Sequence, residues 1–488
     1  MSEPNILNQA GDYQIDIAEI ISYRLHGGES TPYRMNILGI ILSIELTEDI
    51  LSNNMVGVLT VYDTQDVRTV LPITGLEKLN LKFSTPGLQG VNANEEDGHP
   101  FQIYKIDNVR VDPKNPRGQL YRIFFTSQEM YFDSLNKVSR AFSGPIEDAV
   151  EKIFRGKSFL NSKKSFFYEP TKTNAKYVIP NLHPYQAINF LSRKSISANY
   201  KNSGYMFYEN PQGYFFRSIE SMLAMGGAVA RPAKFAYKYQ VSNVRAGDTR
   251  DVNTDMRNVI KYDFSRPVDT LFNIREGMYG NKLTVHDMFY KTFNSQEYDY
   301  AKSFGDYFHT EHEEGNKATD NTTIPFAKYE DTNKDLSQFS SAKCMTIGSS
   351  SKLHNDYETV GAFDLQDQIS KRIQMRNINL NLLVFGNSLI NCGDVVTFDL
   401  PLMRPLGDEK QESNPQYGGR YMIMAIKHVI NVDAGRYEMV LKCMKDAVRT
   451  PYVRELDTNI TNTANDGVYD IYKEDRNILS GDLLENLT

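Results

Sequence analysis

Hydrophobic and polar residues alternate along the N-terminal part of the chain with the period of β-strands. Residues 55–62 (MVGVLTVY) and 79–83 (LNLKF) alternate cleanly, and residues 101–111 (FQIYKIDNVRV) lead through a turn rich in proline into the apolar run 120–126. Successive side chains of a strand point to opposite faces, so this period predicts strands with one buried face. Short strands at close spacing predict a small barrel or sandwich over residues 13–130.

Helical spacing replaces this alternation further along the chain. Apolar residues three and four apart follow Pro145, the predicted first helical position, and Gly156 is the predicted left-handed residue that ends the helix. A second helix is predicted at about residues 184–197, followed by a short hairpin at 205–217. Residues 131–235 are therefore predicted to form an α+β module.

The most informative pattern is an internal repeat. Residues 421–433 (YMIMAIKHVINVD) resemble residues 101–112, and both segments lead through a turn with glycine into a second apolar strand. Upstream, residues 393–400 (GDVVTFDL) resemble residues 75–83, with a glycine, an acidic residue and then an alternating strand. Two matches in the same order predict one barrel duplicated within the chain. The alternative is that any two hairpins look alike, because alternation is common to all of them.

The predicted fold class is α+β, mainly β, with two β-barrel domains from an internal duplication, an inserted α+β module and an extended C-terminal arm. The predicted divisions are the first barrel at 13–130, the α+β module at 131–235, the start of the second barrel with connecting strands at 236–300, a polar excursion with a helix at 301–377, the second barrel at 378–450 and the arm at 451–488. The arm is polar and acidic, which is typical of segments that stay mobile or become ordered on a partner.

Composition and charge exclude several classes of protein. With 488 residues, 40% hydrophobic and 24% charged, the sequence is that of an ordinary globular chain. Its formal net charge of −7 lacks the basic excess of a general nucleic-acid binder. Neither a membrane-spanning apolar run nor a signal peptide is predicted. The three cysteines are too few and too scattered for a disulfide framework or a zinc site, which predicts folding in a reducing cytoplasm.

No sequence motif points to catalysis or to a cofactor. The chain contains no P-loop, no G-x-G-x-x-G and no G-x-S-x-G. His309, Glu311 and His312 form one local cluster of metal-ligand residue types, but it is a weak candidate because no third distant ligand is indicated. A solvated acidic helix end is the favoured interpretation of these residues. We therefore predict no enzyme activity, no catalytic residue, no metal and no cofactor.

Several segments resemble one known family. They are residues 49–63 (DILSNNMVGVLTVYD), 71–77 (LPITGLE), 184–192 (PYQAINFLS), 277–287 (GMYGNKLTVHD) and 391–398 (NCGDVVTF). Together they are similar to the central baseplate hub subunit of contractile-tail bacteriophages of the T-even-like myovirus group. The resemblance is spread over most of the chain and is not concentrated in one diagnostic motif.

The resemblance implies a structural virion protein that acts as a homotrimer. Each subunit of such a hub carries two tail-tube-like β-barrels, so three subunits form a pseudo-sixfold ring. This ring joins the sixfold tail tube to a threefold central spike and leaves a channel for genome passage. The implied partners are further copies of the chain, the tail tube protein, the central spike protein, baseplate wedge proteins and the tape measure protein, without specific nucleic-acid binding or a membrane span. The implied location is the virion tail baseplate, after synthesis in the host bacterial cytoplasm.

Strands of both predicted barrels are expected to build the ring, with the 131–235 module outside it or toward the spike. The candidate residues of the subunit interface are Met55, Val58, Tyr62, Leu79, Leu81, Phe83, Gly393, Val395, Phe398, Tyr421, Ile423 and Val429. Two alternatives remain open. One is a hub-like spike-tip protein of a related contractile injection system, either a secretion system or a tailocin. The other is a baseplate cell-wall hydrolase, which would need a convergent acid pair or a metal site.

Overall fold

The computed structural model describes most of the chain up to residue 449. The described residues are 7–23, 32–115, 117–172, 174–200, 204–225, 229–240, 251–266, 269–287, 291–311, 322–323, 328–329, 334–339, 342–348, 366–375, 377–401, 413–414 and 416–449. The arm predicted at 451–488 lies outside them, as does most of the polar excursion between residues 312 and 365.

Strands dominate the described part. They are β1 (Gln14–Ser22), β2 (Tyr33–Asn36), β3 (Ile41–Asp49), β4 (Val56–Asp63), β5 (Lys78–Ser84), β6 (Val91–Ala93), β7 (Phe101–Val111), β8 (Gln119–Ser127), β9 (Val138–Pro145), β10 (Phe166–Tyr168), β11 (Asn174–Leu182), β12 (Tyr205–Asn210), β13 (Gly213–Ser218), β14 (Ala224–Met225), β15 (Val229–Ala230), β16 (Phe235–Lys238), β17 (Val259–Arg266), β18 (Gly280–Asp287), β19 (Thr292–Asp299), β20 (Thr322–Thr323), β21 (Lys328–Tyr329), β22 (Lys334–Asp335), β23 (Ala342–Gly348), β24 (Ile378–Phe385), β25 (Val395–Asp399), β26 (Gly419–Asn431), β27 (Arg436–Lys445) and β28 (Val448–Arg449).

The helices are short and lie between groups of strands. They are α1 (Val67–Val70), α2 (Gln128–Leu135), α3 (Ile146–Arg155), α4 (Pro184–Ser192), α5 (Ile219–Leu223), α6 (Val252–Arg257), α7 (Thr270–Glu276), α8 (Tyr300–Ser303) and α9 (Asp367–Gln374), with 3-10 turns at Leu38–Ile40, Phe304–Asp306 and Leu336–Gln338. The predicted fold class, mainly β with an α+β module, is confirmed.

One fourteen-stranded sheet runs through both halves of the chain. Its order is β17-β24-β27-β26-β3-β4-β8-β7-β5-β1-β2, with β25 beside β26, β16 beside β25 and β6 beside β5. Strands from the N-terminal and C-terminal halves meet at the antiparallel pair β3–β26, which is in register from Ser43–Asn431 to Asp49–Ala425. One hydrophobic core also draws on both halves. The two predicted barrels therefore share one sheet and one core.

The two halves repeat one arrangement of strands. β5, β7, β8 and β4 are neighbours in that order, and β25, β26, β27 and β24 follow the same order. Leu79 faces Phe101 across β5–β7. Val396 faces Tyr421 across β25–β26 in the same way. The register of the strands thus gives the same alignment, Phe101 with Tyr421, that the sequence pattern gives.

The two hairpins also carry a β-bulge at the same place. The register of β7 against β8 shifts between Ile103 and Lys105. The register of β26 against β27 shifts between Ile423 and Ala425, which are the equivalent residues under the alignment above. A bulge inserts one extra residue at a specific position in a ladder, so a shared bulge is a more specific likeness than alternation alone.

The next strand in each half extends the likeness. Against β4, β3 shifts register between Ile41 and Ser43, and against β24, β17 shifts register between Val259 and Lys261. β3 and β17 are therefore equivalent, as are β4 and β24. The likeness ends at the opposite edge, because β1 runs antiparallel to β5 whereas β16 runs parallel to β25.

The α+β module has a hydrophobic core of its own, built from α3, α4 and aromatic strands. The helix predicted after Pro145 is confirmed, with Pro145 as the residue before its first turn. Gly156 was expected to be left-handed, which is wrong, because its φ is −62°. A Cβ on Gly156 would lie 2.6 Å from Phe159 Cδ2, so close packing explains the glycine. The second helix ends at Ser192, earlier than predicted.

The repeated half-sheets predict equal costs for two distant core truncations. Leu59 and Leu382 are equivalent residues of β4 and β24, and both are fully buried. We expect Leu59→Ala and Leu382→Ala each to lower the free energy of unfolding by about 2–5 kcal/mol, because each leaves a cavity in the shared core. Urea unfolding followed by circular dichroism measures this, and Leu76→Ala, 62% exposed, is the control. A Leu382→Ala variant as stable as the control would contradict the shared core.

Candidate assembly interface

The junction between the two half-sheets is closed by a buried polar cluster. Glu48 of β3 and His428 of β26 are both buried, and Glu48 Oε1 lies 2.8 Å from His428 Nε2. His428 Nδ1 lies 2.7 Å from the Tyr437 hydroxyl, and the Cys392 N–H donates to Glu48 Oε2 at 3.0 Å. Both carboxylate oxygens are thus hydrogen-bonded, which burial of a carboxylate requires. The cluster therefore joins β3 to the second half-sheet.

The Tyr437 hydroxyl and the Cys392 thiol near Glu48 stay neutral. Burial, with the Glu48 charge as a smaller cause, raises the pKa of the Tyr437 hydroxyl and of the Cys392 thiol well above their usual values. A protonated, buried thiol is a poor nucleophile. Cys392 and Cys443 are buried free cysteines, as the sequence predicts, and burial also raises the pKa of Cys443. The side chain of Cys344 lies outside the described residues.

The solvent side of the same junction carries an exposed ion pair. Lys427 of β26 lies 2.8 Å from Glu45 of β3, and both side chains are well exposed. Exposed pairs of this kind contribute little to stability, because water screens the charges. The two faces of the junction therefore differ: the buried face fixes the pairing of β3 with β26, and the exposed face adds charge complementarity.

A second buried network attaches the α+β module to the first half-sheet. Glu209 of β12 accepts hydrogen bonds from the Met55 N–H at 2.9 Å and from Ser127 Oγ at 2.5 Å. Lys164 Nζ lies 2.5 Å from Glu209 Oε1 and 3.0 Å from Glu129 Oε2. Burial alone would lower the pKa of Lys164, but the charges of Glu129 and Glu209 raise it to about 12. Burial raises the pKa of the Glu209 carboxyl, against the effect of Lys164.

A cavity of about 520 Å³ opens between the first half-sheet and the module. Lys164 and Glu209 line it, together with His99 and Phe101. The two charged groups are paired with each other, as described above, so they act as a structural tie at the wall of the cavity.

The weak metal candidates have other partners. His309 Nδ1 lies 2.8 Å from Asp446 Oδ2, and its Nε2 lies 2.9 Å from the Phe304 carbonyl oxygen. Glu311 Oε1 lies 2.5 Å from Lys445 Nζ. His309 and Glu311 are buried, so the interpretation as a solvated helix end is wrong for both. His312 lies outside the described residues, within which no group of three or more His, Cys, Asp or Glu side chains is arranged to hold a metal ion.

Asp446 is the centre of a group of contacts with His309 and Thr310, which we call the clasp. It accepts hydrogen bonds from the Thr310 N–H at 3.0 Å and from Thr310 Oγ1 at 2.8 Å, in addition to the contact with His309. Burial alone would raise the pKa of the Asp446 carboxyl, but His309, the Thr310 N–H and Lys371 together hold it well below its usual range. The clasp therefore fastens residues 309–311 to the end of β27 with an ionised carboxylate.

Most of the predicted interface residues lie inside the subunit. Those with buried side chains are Met55, Leu79, Leu81, Phe83, Val395, Phe398, Tyr421 and Ile423. Those that are partly exposed are Val58, Tyr62 and Val429. A side chain without exposed area cannot contact another chain directly and can affect an interface only by supporting the residues at the surface. The exposed residues of the same strands are therefore the ones that another chain could contact.

Gly393 has a local role in the subunit. Its φ is +85°, and a Cβ there would lie 2.6 Å from the Tyr208 hydroxyl and 2.8 Å from an Arg217 nitrogen, both in the module. A bulkier residue at this position would disturb the contact with the module before it affected any other chain. Gly393 is thus a poor position for testing assembly.

Exposed apolar residues lie at two sheet edges, and the sequence pattern does not predict them. Val109 and Val111 of β7 are 43% and 59% exposed, and Ile260 of β17 is 41% exposed. Alternation predicts that one side chain in two is buried, but it does not show where a sheet ends. The strand register shows that the second half of β7 departs from its counterpart in β26 by one extra residue before Arg110.

Comparison with known proteins gives structural neighbours but no family. No protein-family model and no curated protein matches the chain. The chain is similar to a tail protein from Neisseria meningitidis MC58, with 11% identity, 90% of this chain and 97% of that chain covered, and a TM-score of 0.48. It is similar to a prophage MuSo2 tail protein from Shewanella oneidensis, with 9% identity, 88% and 98% covered, and a TM-score of 0.47.

A third similar structure is an Escherichia coli component of the type VI secretion system, described as structurally similar to T4 bacteriophage tail proteins. Its identity is 9%, the coverage is 83% of this chain and 73% of that chain, and the TM-score is 0.39. These neighbours are phage tail and type VI secretion proteins. At TM-scores below 0.5 the likeness does not assign a function to this chain. Among the described residues, no helix is long and apolar enough to span a membrane.

Removing Glu48 should cost far more than removing Glu45, although both lie on β3 and face β26. Glu48→Ala leaves His428 and the Cys392 N–H buried without their partner, so we expect a loss of about 3 kcal/mol in the free energy of unfolding. Glu45→Ala removes only an exposed pair, and we expect a loss below about 1 kcal/mol. Chemical unfolding of both variants checks this, and equal losses would show that the buried cluster does not hold the junction.

Asp446 should make the stability of the folded protein depend on pH in the acid range. Its folded-state pKa lies below the unfolded value, so its contribution is complete above about pH 4 and is lost as the pH falls further. We expect Asp446→Asn to lose stability at neutral pH and to show a shallower decline between about pH 4 and pH 2 than the parent protein. Thermal midpoints across this range measure the slope. Asp66→Asn, at an exposed turn, should leave both the stability at neutral pH and the slope of the decline in acid unchanged.

Proposed function

We propose that the chain is a structural subunit of a contractile-tail baseplate, the hub that joins the tail tube to the central spike. In this proposal three copies form a ring with pseudo-sixfold symmetry around a channel for the genome. The subunit binds other copies of itself, the tail tube protein and the spike protein, and wedge and tape measure proteins lie next to it. The resemblance of the sequence to hub subunits suggests this role.

The observation that carries the proposal is the repeat of the half-sheets. The strand order, the register at Phe101 and Tyr421, and the bulges after Ile103 and Ile423 all agree between the two halves. An internal duplication of one strand unit accounts for these coincidences together. Alternation alone explains none of the matched bulges, since it specifies no position for an extra residue.

A duplicated unit suits a protein placed between different symmetries. Closed rings need matched, repeated surfaces, and three subunits with two equivalent units each offer six such surfaces. One side of the ring then presents six similar positions to a sixfold tube, while the ring as a whole keeps the threefold symmetry of a spike. The shared sheet and the buried cluster at Glu48 hold the two units of one subunit in a fixed relation.

The polar networks of the chain also favour a structural role. Glu311, one of the weak metal candidates, contacts Lys445 and accepts a hydrogen bond from the Arg420 N–H at 2.9 Å. Lys164 and Glu209 tie the module to the sheet. Each of these ionisable groups stabilises the position of a segment.

The proposal predicts the mass of the purified protein. Light scattering over a range of concentrations should approach three times the subunit mass of 55.8 kDa. Negative-stain images should then show a ring with six similar lobes. A species that remains at 55.8 kDa at every concentration, or a stable dimer, would contradict the proposed hub.

A further inference from the structure

Two equivalent edges of the sheet differ in what covers them. The edge of β26 at residues 425–431 pairs with β3 of the same chain. The equivalent edge of β7 pairs with β5 only at Phe101 and Gln102, and beyond Lys105 the described part of the chain places no strand against it. Within the described residues β17, the equivalent of β3, ends the sheet and pairs with β24, and one isolated parallel bridge joins Asn258, just before it, to Lys238.

We propose that β7 of one subunit pairs antiparallel with β17 of a second copy of this chain, as β26 pairs with β3 inside the subunit. This pairing adds a specific contact between subunits to the proposed function. The number of copies in the ring rests on that proposed function. The choice of edges rests on the strand order alone. The partner is thus a second copy of the chain. Its β17 is the counterpart of β3, and β3 already lies against β26, the counterpart of β7, within the chain.

The internal junction fixes the register of the proposed pairing. In β3–β26, Val429 faces Glu45. The counterpart of Val429 is Arg110, since Arg110 faces Leu120 in β8 as Val429 faces Glu438 in β27. The counterpart of Glu45 is Asp263, which faces Asn381 as Glu45 faces Val58. Arg110 of one copy should therefore face Asp263 of the next.

The neighbouring positions also fit this register. Asn431 faces Ser43 in the internal junction, and one residue further along Ile430 faces Ile44. Moving these pairs to the equivalent strands places Asp112 opposite Lys261 and Val111 opposite Tyr262. The transferred register thus gives two pairs of opposite charge and one apolar pair, although it was chosen from backbone pairing and not from the charge or polarity of these side chains. Opposite charges directly across a strand pair stabilise it.

The exposure of the two edges agrees with a missing neighbour. Val111 is 59% exposed, whereas Ile430, its counterpart beside β3, is fully buried. Exposed edge strands with apolar residues can pair with other chains, so native proteins cover or charge them. A second copy would cover Val111 in the way that β3 covers Ile430.

The pairing is head-to-tail, because the two edges belong to different halves of the subunit. Such heterologous contacts close into rings when the rotation allows it. With three copies, the ring has three junctions of the β3–β26 kind within subunits and three of the β7–β17 kind between them. The internal junctions contain the buried Glu48–His428 pair, and the junctions between subunits depend on exposed charges. The ring should therefore come apart between subunits at high salt, without unfolding.

Charge reversal tests the register. Arg110→Asp places a carboxylate opposite Asp263 at every junction, so we expect the subunit concentration at half assembly to rise about tenfold. Adding Asp263→Arg to this variant should restore assembly. Arg436→Asp, an exposed arginine on β27 outside the proposed contact, is the matched control and should assemble normally. Mass by light scattering is the readout.

Disulfide trapping tests the same contact independently. Directly opposed residues of antiparallel strands have Cα separations that a disulfide can span. In a Cys344→Ser background, Arg110→Cys with Asp263→Cys should give covalent dimers and trimers on oxidation, and Arg110→Cys alone should give none. A trimer without covalent products and without a response to Arg110→Asp would overturn the edge pairing but leave the proposed hub standing. A protein that is monomeric at every concentration would overturn both.

Discussion

The pairing of β3 with β26 is the constraint on which the rest of the structure depends. It turns two groups of strands, far apart in the sequence, into one sheet with one core. The Glu48–His428 contact lies inside this junction, where separation of the strands would leave a carboxylate and an imidazole buried without partners. A strand pair closed in this way cannot slip by one residue, because a slip would reverse which side chains face the core.

The α+β module is held to this frame by the same kind of interaction. Glu209 and Lys164 are buried at the contact with the first half-sheet, and the amide of Met55 completes the hydrogen bonding of the carboxylate. Buried ion pairs add little net stability compared with apolar packing, but they specify geometry, since each partner requires the other. Lys164 and Glu209 therefore fix the position of the module on the first half-sheet, as Glu48 and His428 fix the pairing of β3 with β26.

Residues that resembled a metal site turned out to fasten a segment. His309 and Glu311 lie close in sequence and are ligand types, so their spacing suggested a weak candidate. The structure turns them toward separate partners, Asp446 and Lys445, which follow one another at the end of β27. The spacing in the sequence showed only that the two residues are close along the chain. It carried no information on a strand more than a hundred residues away.

Much of the fold follows from the sequence by itself. The period of two placed β7 and β8, the spacing after Pro145 placed α3, and the internal repeat gave the alignment of Phe101 with Tyr421 that the strand register also shows. These features are local, because they depend on which face of an element is apolar. Only the tertiary structure decided that β3 completes the second half-sheet, that most predicted interface residues are core, and which edges have no neighbouring strand within the described residues. Those outcomes depend on pairing between distant strands, and the pattern along one strand is the same whichever neighbour it has.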